Sequence, residues 1–231
     1  MKPTAERYRF ERKYLLDKDA AYVLSQRVSK ILQPDASNPD GLYNISSLYF
    51  DDYYNTSFYE KRNGVVERDK FRVRFYNGCL DFLRLERKHK FDAYIYKDSA
   101  PVTLEQFEMM CRKEYHFMRE SSGKGDVFDK FYTIFTTKGM RPVAMINYQR
   151  QAYTYQAGNV RITFDSDLSA STGVKTHSVS ILPYNNVILE VKNDRFLPSV
   201  ITDLLTGIPF TQQLSISKFI MAKMALQGRA I

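Results

Sequence analysis

Tryptophan is absent from this chain of 231 residues, and cysteine and histidine are scarce, with two and three residues respectively. Cys79 and Cys111 lack metal-ligand spacing and cannot form a disulfide framework, so we expect a reducing compartment. His89, His116 and His177 show neither i,i+4 nor triad-like spacing, and we interpret them as structural or exposed. The sequence therefore offers no metal site or catalytic motif built on these residue types.

Long hydrophobic runs are also missing. No apolar segment approaches the roughly 20 residues that span a bilayer. The N-terminal sequence MKPTAERYRFERKY lacks the apolar core of a signal peptide. We therefore expect a soluble, cytoplasmic protein. No internal repeat, low-complexity tract or long linker divides the chain, so residues 1–231 are predicted to form a single domain.

Aromatic residues and positive charge are abundant. The 17 tyrosines and 16 phenylalanines favour a sheet-rich architecture, because these side chains suit a pleated, half-buried surface. The 34 Lys and Arg residues exceed the 26 Asp and Glu residues, which gives a net charge of +8. This surplus indicates an anionic partner: nucleic acid, an acidic membrane surface or a phosphate-rich small molecule. Charge alone does not choose among them.

The segment 69–90 (DKFRVRFYNGCLDFLRLERKHK) is predicted to be a β-hairpin with a turn at its central Asn-Gly pair. Because side chains alternate across a strand, Arg72 and Arg74 lie on one face and the intervening apolar side chains on the other. The second strand repeats this pattern with Arg84 and Lys88. One such face alone is most often a solvated surface, but the pattern recurs along the chain.

The order of elements predicts an α+β fold with an antiparallel sheet. Strands are predicted at 8–16, 43–51, within the hairpin 69–90, and at 142–153, 159–165, 179–182 and 186–192. Helices are predicted at 17–32, 103–120, 126–138, 198–205 and 215–226, with a flexible break at 121–125. The tyrosine-rich run 49–59 is interpreted as sheet packing. About seven to nine strands exceed a small open sheet, which favours closure into a barrel.

The charged faces of these strands, together with Lys218, form one candidate site. Its nine cations are Lys13, Arg72, Arg74, Arg84, Lys88, Arg150, Arg161, Lys192 and Lys218. Its four carboxylates are Glu11, Glu86, Asp165 and Glu190. If the faces converge inside a barrel, the site needs a strongly anionic ligand, since unpaired buried charge is costly. The carboxylates then suit Mg²⁺ or Mn²⁺ held partly by phosphate oxygens, which is the logic of phosphoryl transfer.

These strands resemble the polyphosphate polymerase (VTC) domain of the triphosphate tunnel metalloenzyme (CYTH-like) superfamily. The matching pieces run along nearly the whole chain and are FERKYLL, SLYFDD, KFRVRFY, LERKHK, NYQRQAY, VRITFDSDL, ILEVK and the SKF that contains Lys218. Each piece is short, but their order and number make the set specific.

The resemblance implies a closed, eight-stranded antiparallel β-barrel with flanking helices, whose tunnel binds ATP, triphosphate or polyphosphate. It implies that seven candidate catalytic residues grip the phosphates: Lys13, Arg72, Arg74, Lys88, Arg150, Arg161 and Lys218. Arg84 and Lys192 are added as substrate-binding residues. Glu190 is implied as the metal ligand, usually for Mn²⁺, with Glu11 and Glu86 as further candidates. Polymerase members of the family transfer the γ-phosphate of ATP to a growing polyphosphate chain.

The sequence departs from the family pattern in two ways. The superfamily opens with a Glu-x-Glu-x-Lys strand, whereas Arg9 stands here at the first glutamate position. One potential metal ligand is thereby lost, and the balance shifts from hydrolysis towards binding of a longer anion. The eukaryotic polymerases also carry a regulatory domain and membrane helices that this sequence does not contain. Export across a membrane is not implied, which leaves room for a membrane-protein partner.

Three hypotheses follow. The first is a metal-dependent polyphosphate polymerase, a phosphotransferase that needs no side-chain nucleophile because phosphate attacks phosphate. The second is a triphosphate or nucleotide hydrolase, with Glu11 or Glu86 as the available general base. The third is a non-catalytic module that binds polyphosphate or RNA. Nucleic-acid binding requires aromatic side chains beside the cations, and Phe71 and Phe75 lie opposite the arginines, so no nucleic acid is expected.

Overall fold

The computed structural model describes residues 9–35, 41–91, 94–120, 127–174, 176–207, 211–213 and 215–228. Its strands are β1 (Phe10–Asp17), β2 (Gln33–Pro34), β3 (Leu42–Asp51), β4 (Glu67–Tyr76), β5 (Cys79–Phe91), β6 (Tyr94–Val102), β7 (Arg141–Tyr155), β8 (Val160–Ser171), β9 (Val179–Ser180), β10 (Asn186–Asn193) and β11 (Thr211–Gln213). Its helices are α1 (Lys18–Ser29), α2 (Thr56–Arg62), α3 (Leu104–Cys111), α4 (Phe117–Glu120), α5 (Val127–Thr137), α6 (Ser199–Leu205) and α7 (Lys218–Leu226). None of the described helices is long and apolar enough to cross a membrane.

The chain divides into two compact units. The first is built from the described residues of Met1–Tyr43, Tyr148–Leu168 and Leu182–Ser217. The second is built from those of Asn44–Asn147, Ser169–Ile181 and Lys218–Ile231. Strands β3, β7 and β8 contribute residues to both units. The single domain over residues 1–231 stays a prediction.

The first unit is a sheet with the strand order β11-β1-β10-β8-β7, and β2 pairs with β7. Its core lies on one face, where alternate residues of β1, β8 and β10 pack with α1 and α6. Asp17 begins α1 as predicted, because its carboxylate accepts a hydrogen bond from the Ala20 amide at 2.7 Å. Leu24 and Val28 form the buried stripe of this helix.

The second unit continues from β7 in the order β7-β3-β4-β5-β6, and its core lies on the face that carries Phe71, Val73 and Phe75. Helices α3, α4 and α5 supply the other side of that core, where the rings of Phe71 and Phe135 meet at 5.5 Å between centroids. The β4–β5 hairpin is confirmed. Its two turn residues have positive φ angles of 50° at Asn77 and 69° at Gly78, which the Asn-Gly pair tolerates.

The α+β class and the antiparallel sheet are confirmed, but the closed barrel of eight strands is not. The sheet has eleven strands, and in the described part of the chain its two end strands, β11 and β6, do not pair with each other. Eight of the strands have eight or more residues. The additional three, β2, β9 and β11, have only two or three residues. A strand this short shows no recognisable alternation of apolar and polar residues in the sequence.

Several predicted boundaries differ from those observed. The helix expected over 103–120 keeps its capping box at Thr103 and Gln106 but ends at Cys111, since Lys113 adopts a φ of 67°. The polar segment after β3 contains α2, and β6 extends past Pro101 to Val102. The start of the first predicted strand at Tyr8 and the predicted break at 121–125 lie outside the described residues.

Candidate functional site

The first charged cluster lies in the first unit on the sheet face opposite its core. It comprises Glu11, Lys13, Asp35, Arg150, Arg161, Asp165, Glu190 and Lys192. Antiparallel register sets the arrangement, because β1 pairs with β10 and β10 pairs with β8. One cross-strand row is therefore Glu11–Lys192–Arg161, and the next is Lys13–Glu190–Thr163. The register brings together six of the sequence-predicted residues of this unit.

Lys13 lies between two carboxylates. Its Nζ atom is 2.6 Å from Oε1 of Glu11 and 3.4 Å from Oε2 of Glu190, and it donates a hydrogen bond to the carbonyl of Ile216. Burial lowers the pKa of Lys13, but the charges of Glu190 and Glu11 outweigh burial and raise it above its ordinary value. Lys192 contacts the second oxygen of Glu190 at 2.5 Å. Lys13 is therefore a permanent cation next to both predicted metal ligands of this unit.

Arg150 and Asp165 form a buried bidentate pair. The Nε and Nη2 atoms of Arg150 donate to the two carboxylate oxygens of Asp165 at 2.6 and 2.7 Å. Both residues are buried, Asp165 completely. Burial lowers the pKa of Arg150, but the neighbouring Asp165 carboxylate holds it well above its ordinary value. Two of the donors that the resemblance assigns to phosphate thus bind a carboxylate in this structure.

Arg161 has two partners that the sequence did not indicate. Its Nε atom donates to Asp35 at 2.9 Å, and its Nη2 atom donates to the Tyr43 hydroxyl at 3.1 Å. Asp35 follows a strand of only two residues, so no periodicity marks it as part of a charged face. With Asp35 included, the first cluster has four cations and four carboxylates.

The second charged cluster lies in the second unit, again on the face opposite the core. It comprises Lys70, Arg72, Arg74, Arg84, Glu86, Lys88, Lys97 and Lys218. Register aligns three rows across adjacent strands: Lys70–Lys88–Lys97, Tyr49–Arg72–Glu86–Ser99 and Ser47–Arg74–Arg84. Seven cations thus accompany a single carboxylate in this cluster. Like charges directly opposite each other are unfavourable, so such rows favour an anion.

Glu86 is held by cations on both of its oxygens. Arg72 donates to Oε2 through Nε at 2.8 Å and through Nη2 at 2.7 Å, and Lys97 contacts Oε1. Burial raises the pKa of Glu86, but Arg72, Arg74 and Lys97 outweigh burial and lower it to about 2. Glu86 is therefore ionised across the physiological range. Its role as a metal ligand stays a prediction.

The depressed pKa of Glu86 predicts a specific loss of stability in acid. The group is ionised in the folded state down to about pH 2, whereas in the unfolded chain it titrates near 4.5. Its contribution of roughly 3 kcal/mol is therefore fully present above pH 4.5 and lost as pH falls from 4.5 to about 2. Urea unfolding at pH 6 and pH 3 measures it. The stability of Glu86→Gln should fall less between these two pH values than that of wild type, whereas the exposed Glu105→Gln control should follow wild type.

Tyr49 belongs to the second cluster, although the sequence pattern assigned it to packing. Its hydroxyl accepts a hydrogen bond from Nη1 of Arg72 at 3.1 Å, and its ring stacks on Phe219 of α7 at 5.2 Å. Burial raises the pKa of Tyr49, but Arg72, Arg74 and Lys218 lower it below its ordinary value. Its two-residue spacing from Ser47 could have identified it, because residues two apart share a face of the strand. Ser47 is uncharged, and its hydroxyl accepts a hydrogen bond from Nε of Arg74 at 3.2 Å.

The remaining predicted residues differ in exposure. Arg84 is exposed, whereas Lys88 and Lys218 are half-buried. Arg84 lies opposite Arg74 in the register of the hairpin, and Lys218 begins α7 immediately before the ring that stacks on Tyr49. All nine predicted cations are therefore placed: four lie in β4 or β5 around Glu86, Lys218 begins α7, and four belong to the first cluster.

The donor set of the first cluster fits a hard divalent cation in part. Glu11 and Glu190 both approach the Lys13 ammonium, so two carboxylates converge on one point of the sheet face. Oxygen donors of this kind suit Mg²⁺ or Mn²⁺, whose other positions are commonly filled by phosphate oxygens and water. Within the described residues, no group of three or more His, Cys, Asp or Glu side chains is arranged to hold a metal ion. The roles of Glu190 and Glu11 as metal ligands stay a prediction, and in this structure both carboxylates are ion-paired with lysines.

The fold is shared with solved structures of low sequence identity. A proposed adenylate cyclase from Bacillus halodurans superposes with a TM-score of 0.56 at 11% identity, over 92% of this chain and 96% of that chain. A proposed adenylyl cyclase from Hippeastrum, HpAC1, described as having a dominant triphosphatase activity, superposes with a TM-score of 0.54 at 14% identity, over 96% and 98% of the two chains. No curated protein matches the sequence significantly.

A comparison with sequence family models identifies the family of this chain. The model described as the VTC domain matches residues 8–227, and the chain belongs to that family.

Proposed function

We propose that this protein is a metal-dependent polyphosphate polymerase that transfers the γ-phosphate of ATP to a growing polyphosphate chain. The observation that supports it most directly is the second charged cluster, in which six cations lie in cross-strand register around one carboxylate and Lys218 of α7 supplies a seventh. A row of cations spaced by strand separation matches a linear polyanion better than a single compact phosphate group. Membership of the VTC family supports the same chemistry.

The unequal charge of the two clusters suggests a division of roles. The second cluster binds the phosphate chain, with Arg72, Arg74 and Lys88 as its central contacts. The first cluster has as many carboxylates as cations, and its Glu11 and Glu190 would hold the divalent cation. A bound Mn²⁺ or Mg²⁺ would neutralise charge on phosphate oxygens. The tunnel that the family resemblance implies stays a prediction.

The reaction requires no protein nucleophile. An oxygen of the terminal phosphate of the chain attacks the γ-phosphorus of ATP, a new P–O bond forms, and the bond to the bridging oxygen breaks to release ADP. Charge on the transferred group spreads over its equatorial oxygens, and cationic side chains that are already in place stabilise it. Arg72 and Arg74 are the candidates for this role in the second cluster and Lys13 in the first, since each is held in position by a neighbouring acceptor.

Hydrolysis of triphosphate is the second candidate, because the similarly folded Hippeastrum protein is described as a triphosphatase. A hydrolase needs a general base to activate water. Glu86 has a pKa of about 2 and is bound by cations on both oxygens, which makes it a poor base. Glu11 is ion-paired with Lys13 at 2.6 Å. Neither carboxylate is poised for proton abstraction, and this favours the polymerase.

Incubation of the pure protein with γ-labelled ATP and Mn²⁺, with products resolved by length, tests the proposal. We expect a ladder of long, acid-labile chains, reduced about tenfold or more in Arg74→Ala and Glu190→Ala. Arg112→Ala is the matched control, because Arg112 is exposed and contacts only Glu114 among the described side chains. Release of free phosphate without a ladder would establish the hydrolase. Tight polyphosphate binding without any turnover would establish the binding module.

A further inference from the structure

Two buried hydroxyl groups lack a hydrogen-bond partner among the described residues, and each lies in one of the charged clusters. They are Oγ1 of Thr163 and Oγ of Ser99. Thr163 is only 1% exposed. Its hydroxyl lies on the charged face of β8, between Arg161 and Asp165, because residues two apart share a face. A buried polar group without a partner destabilises the folded state, so its retention needs an explanation.

The neighbours of Thr163 explain why a neutral donor suits this position. Thr163 lies directly opposite Glu190, and Glu190 lies opposite Lys13 on the next strand. Both oxygens of Glu190 already contact lysines. A third cation at position 163 would be drawn to the same carboxylate, whereas a hydroxyl can donate to a ligand and leave the ion pairs intact.

The second cluster repeats this arrangement. Ser99 lies directly opposite Glu86, and Glu86 lies opposite Arg72. In both rows, a cation, a glutamate and a hydroxyl lie opposite one another on three adjacent strands. Both hydroxyls are buried and without a partner in the part of the chain that the structure describes, although the cation and the glutamate of each row are ion-paired with each other.

We propose that the Thr163 hydroxyl donates a hydrogen bond to a phosphate oxygen of the bound substrate, and that Ser99 does the same in the second cluster. The inference rests on the proposed function and adds two substrate-binding residues to it. Phosphate oxygens are strong acceptors, and a hydrogen bond to an anion is about twice as strong as one between neutral groups. A phosphate oxygen of the bound substrate is thus the hydrogen-bond acceptor that each buried hydroxyl lacks in the free protein.

The Thr163→Val variant tests this inference, because valine has nearly the same shape and removes only the hydroxyl. The variant should melt about 2–4 °C higher than wild type, since a buried group without a partner is lost. Its affinity for tripolyphosphate, measured by calorimetry, should fall about tenfold. Thr163→Ser should retain wild-type affinity. Thr202→Val is the control, because that exposed hydroxyl bonds to the carbonyl of Pro198 in its own helix.

The outcomes separate this inference from the proposed function. If wild type and Thr163→Val bind tripolyphosphate equally well, the inference is wrong, and the proposed polymerase activity is unaffected. Weaker binding of Mn²⁺ alone by Thr163→Val would also overturn it, because the hydroxyl would then be a metal ligand. If the variant loses affinity for tripolyphosphate but wild type makes no polymer, the inference holds and the polymerase fails. Ser99→Ala is measured in the same way.

Discussion

Replacing Arg150 by methionine is expected to lower the free energy of unfolding by about 3–5 kcal/mol. Methionine fills much of the same space, so the loss comes from Asp165, whose fully buried carboxylate would lose the two donors at 2.6 and 2.7 Å. The same pair holds the pKa of Arg150 well above its ordinary value, which makes the guanidinium a fixed charge. Urea unfolding at pH 7 measures the change.

The double variant Arg150→Met/Asp165→Leu separates pairing from packing. It removes both charges, and we expect it to recover most of the stability that the single variant loses. Arg112→Met provides the matched control, because its ion pair with Glu114 is exposed to solvent and contributes little to stability. A double variant as unstable as Arg150→Met would contradict this account and assign the loss to shape. Activity of Arg150 variants is interpretable only where folding is retained.

The faces of the strands could be predicted from the sequence because a strand has a period of two. Phe71 and Val73 fall in the core, and Arg72 and Arg74 fall on the opposite side, as the alternation indicates. Alternation yields two faces for each strand but does not say which strands are neighbours. The rows that join Arg72 to Glu86 and Lys13 to Glu190 depend on register, which tertiary pairing fixes.

Helix α2 shows what local pattern cannot reveal. Its segment is short and rich in polar and tyrosine residues, so no apolar stripe marks it. The helix begins because the buried Asp51 carboxylate accepts hydrogen bonds from the amides of Ser57 and Phe58. Asn55 enters the helix with a φ of 58°, and its side chain accepts from the buried Lys223 of α7 at 2.7 Å. The contact with Lys223 is distant in sequence, and the side-chain contacts of Asp51 do not follow from helix propensity.

The distribution of charge between the two clusters was the other property that counting charged residues in the sequence could not predict. The sequence predicts nine cations and four carboxylates for one site, which implies a uniformly cationic surface. The structure instead gives a nearly neutral first cluster, since Asp35 joins it from outside the predicted strands. It gives a strongly cationic second cluster, since Lys70 and Lys97 enter through the register of β4, β5 and β6. The proposed division between metal binding and chain binding rests on this difference.

The largest effect on activity is expected for Lys13→Met, with a fall in kcat on the order of 10²–10³-fold. The substitution removes a cation that contacts Glu11 at 2.6 Å and Glu190 at 3.4 Å, and it leaves two carboxylates facing each other. It also removes a donor for the transferred phosphate. The rate of ADP release at saturating ATP and Mn²⁺ measures the effect. Thermal melting establishes that the variant is folded.

Two further variants assign the cause of that loss. Lys13→Arg keeps the charge and should recover part of the rate, although its planar group cannot reproduce the contacts of an ammonium. Lys30→Met, at an exposed position after α1, should leave the rate unchanged. Retention of more than about a tenth of the wild-type rate in Lys13→Met would mean that Lys13 only neutralises its two carboxylates. Binding of the transferred phosphate would then depend on the second cluster and the hydroxyl of Thr163.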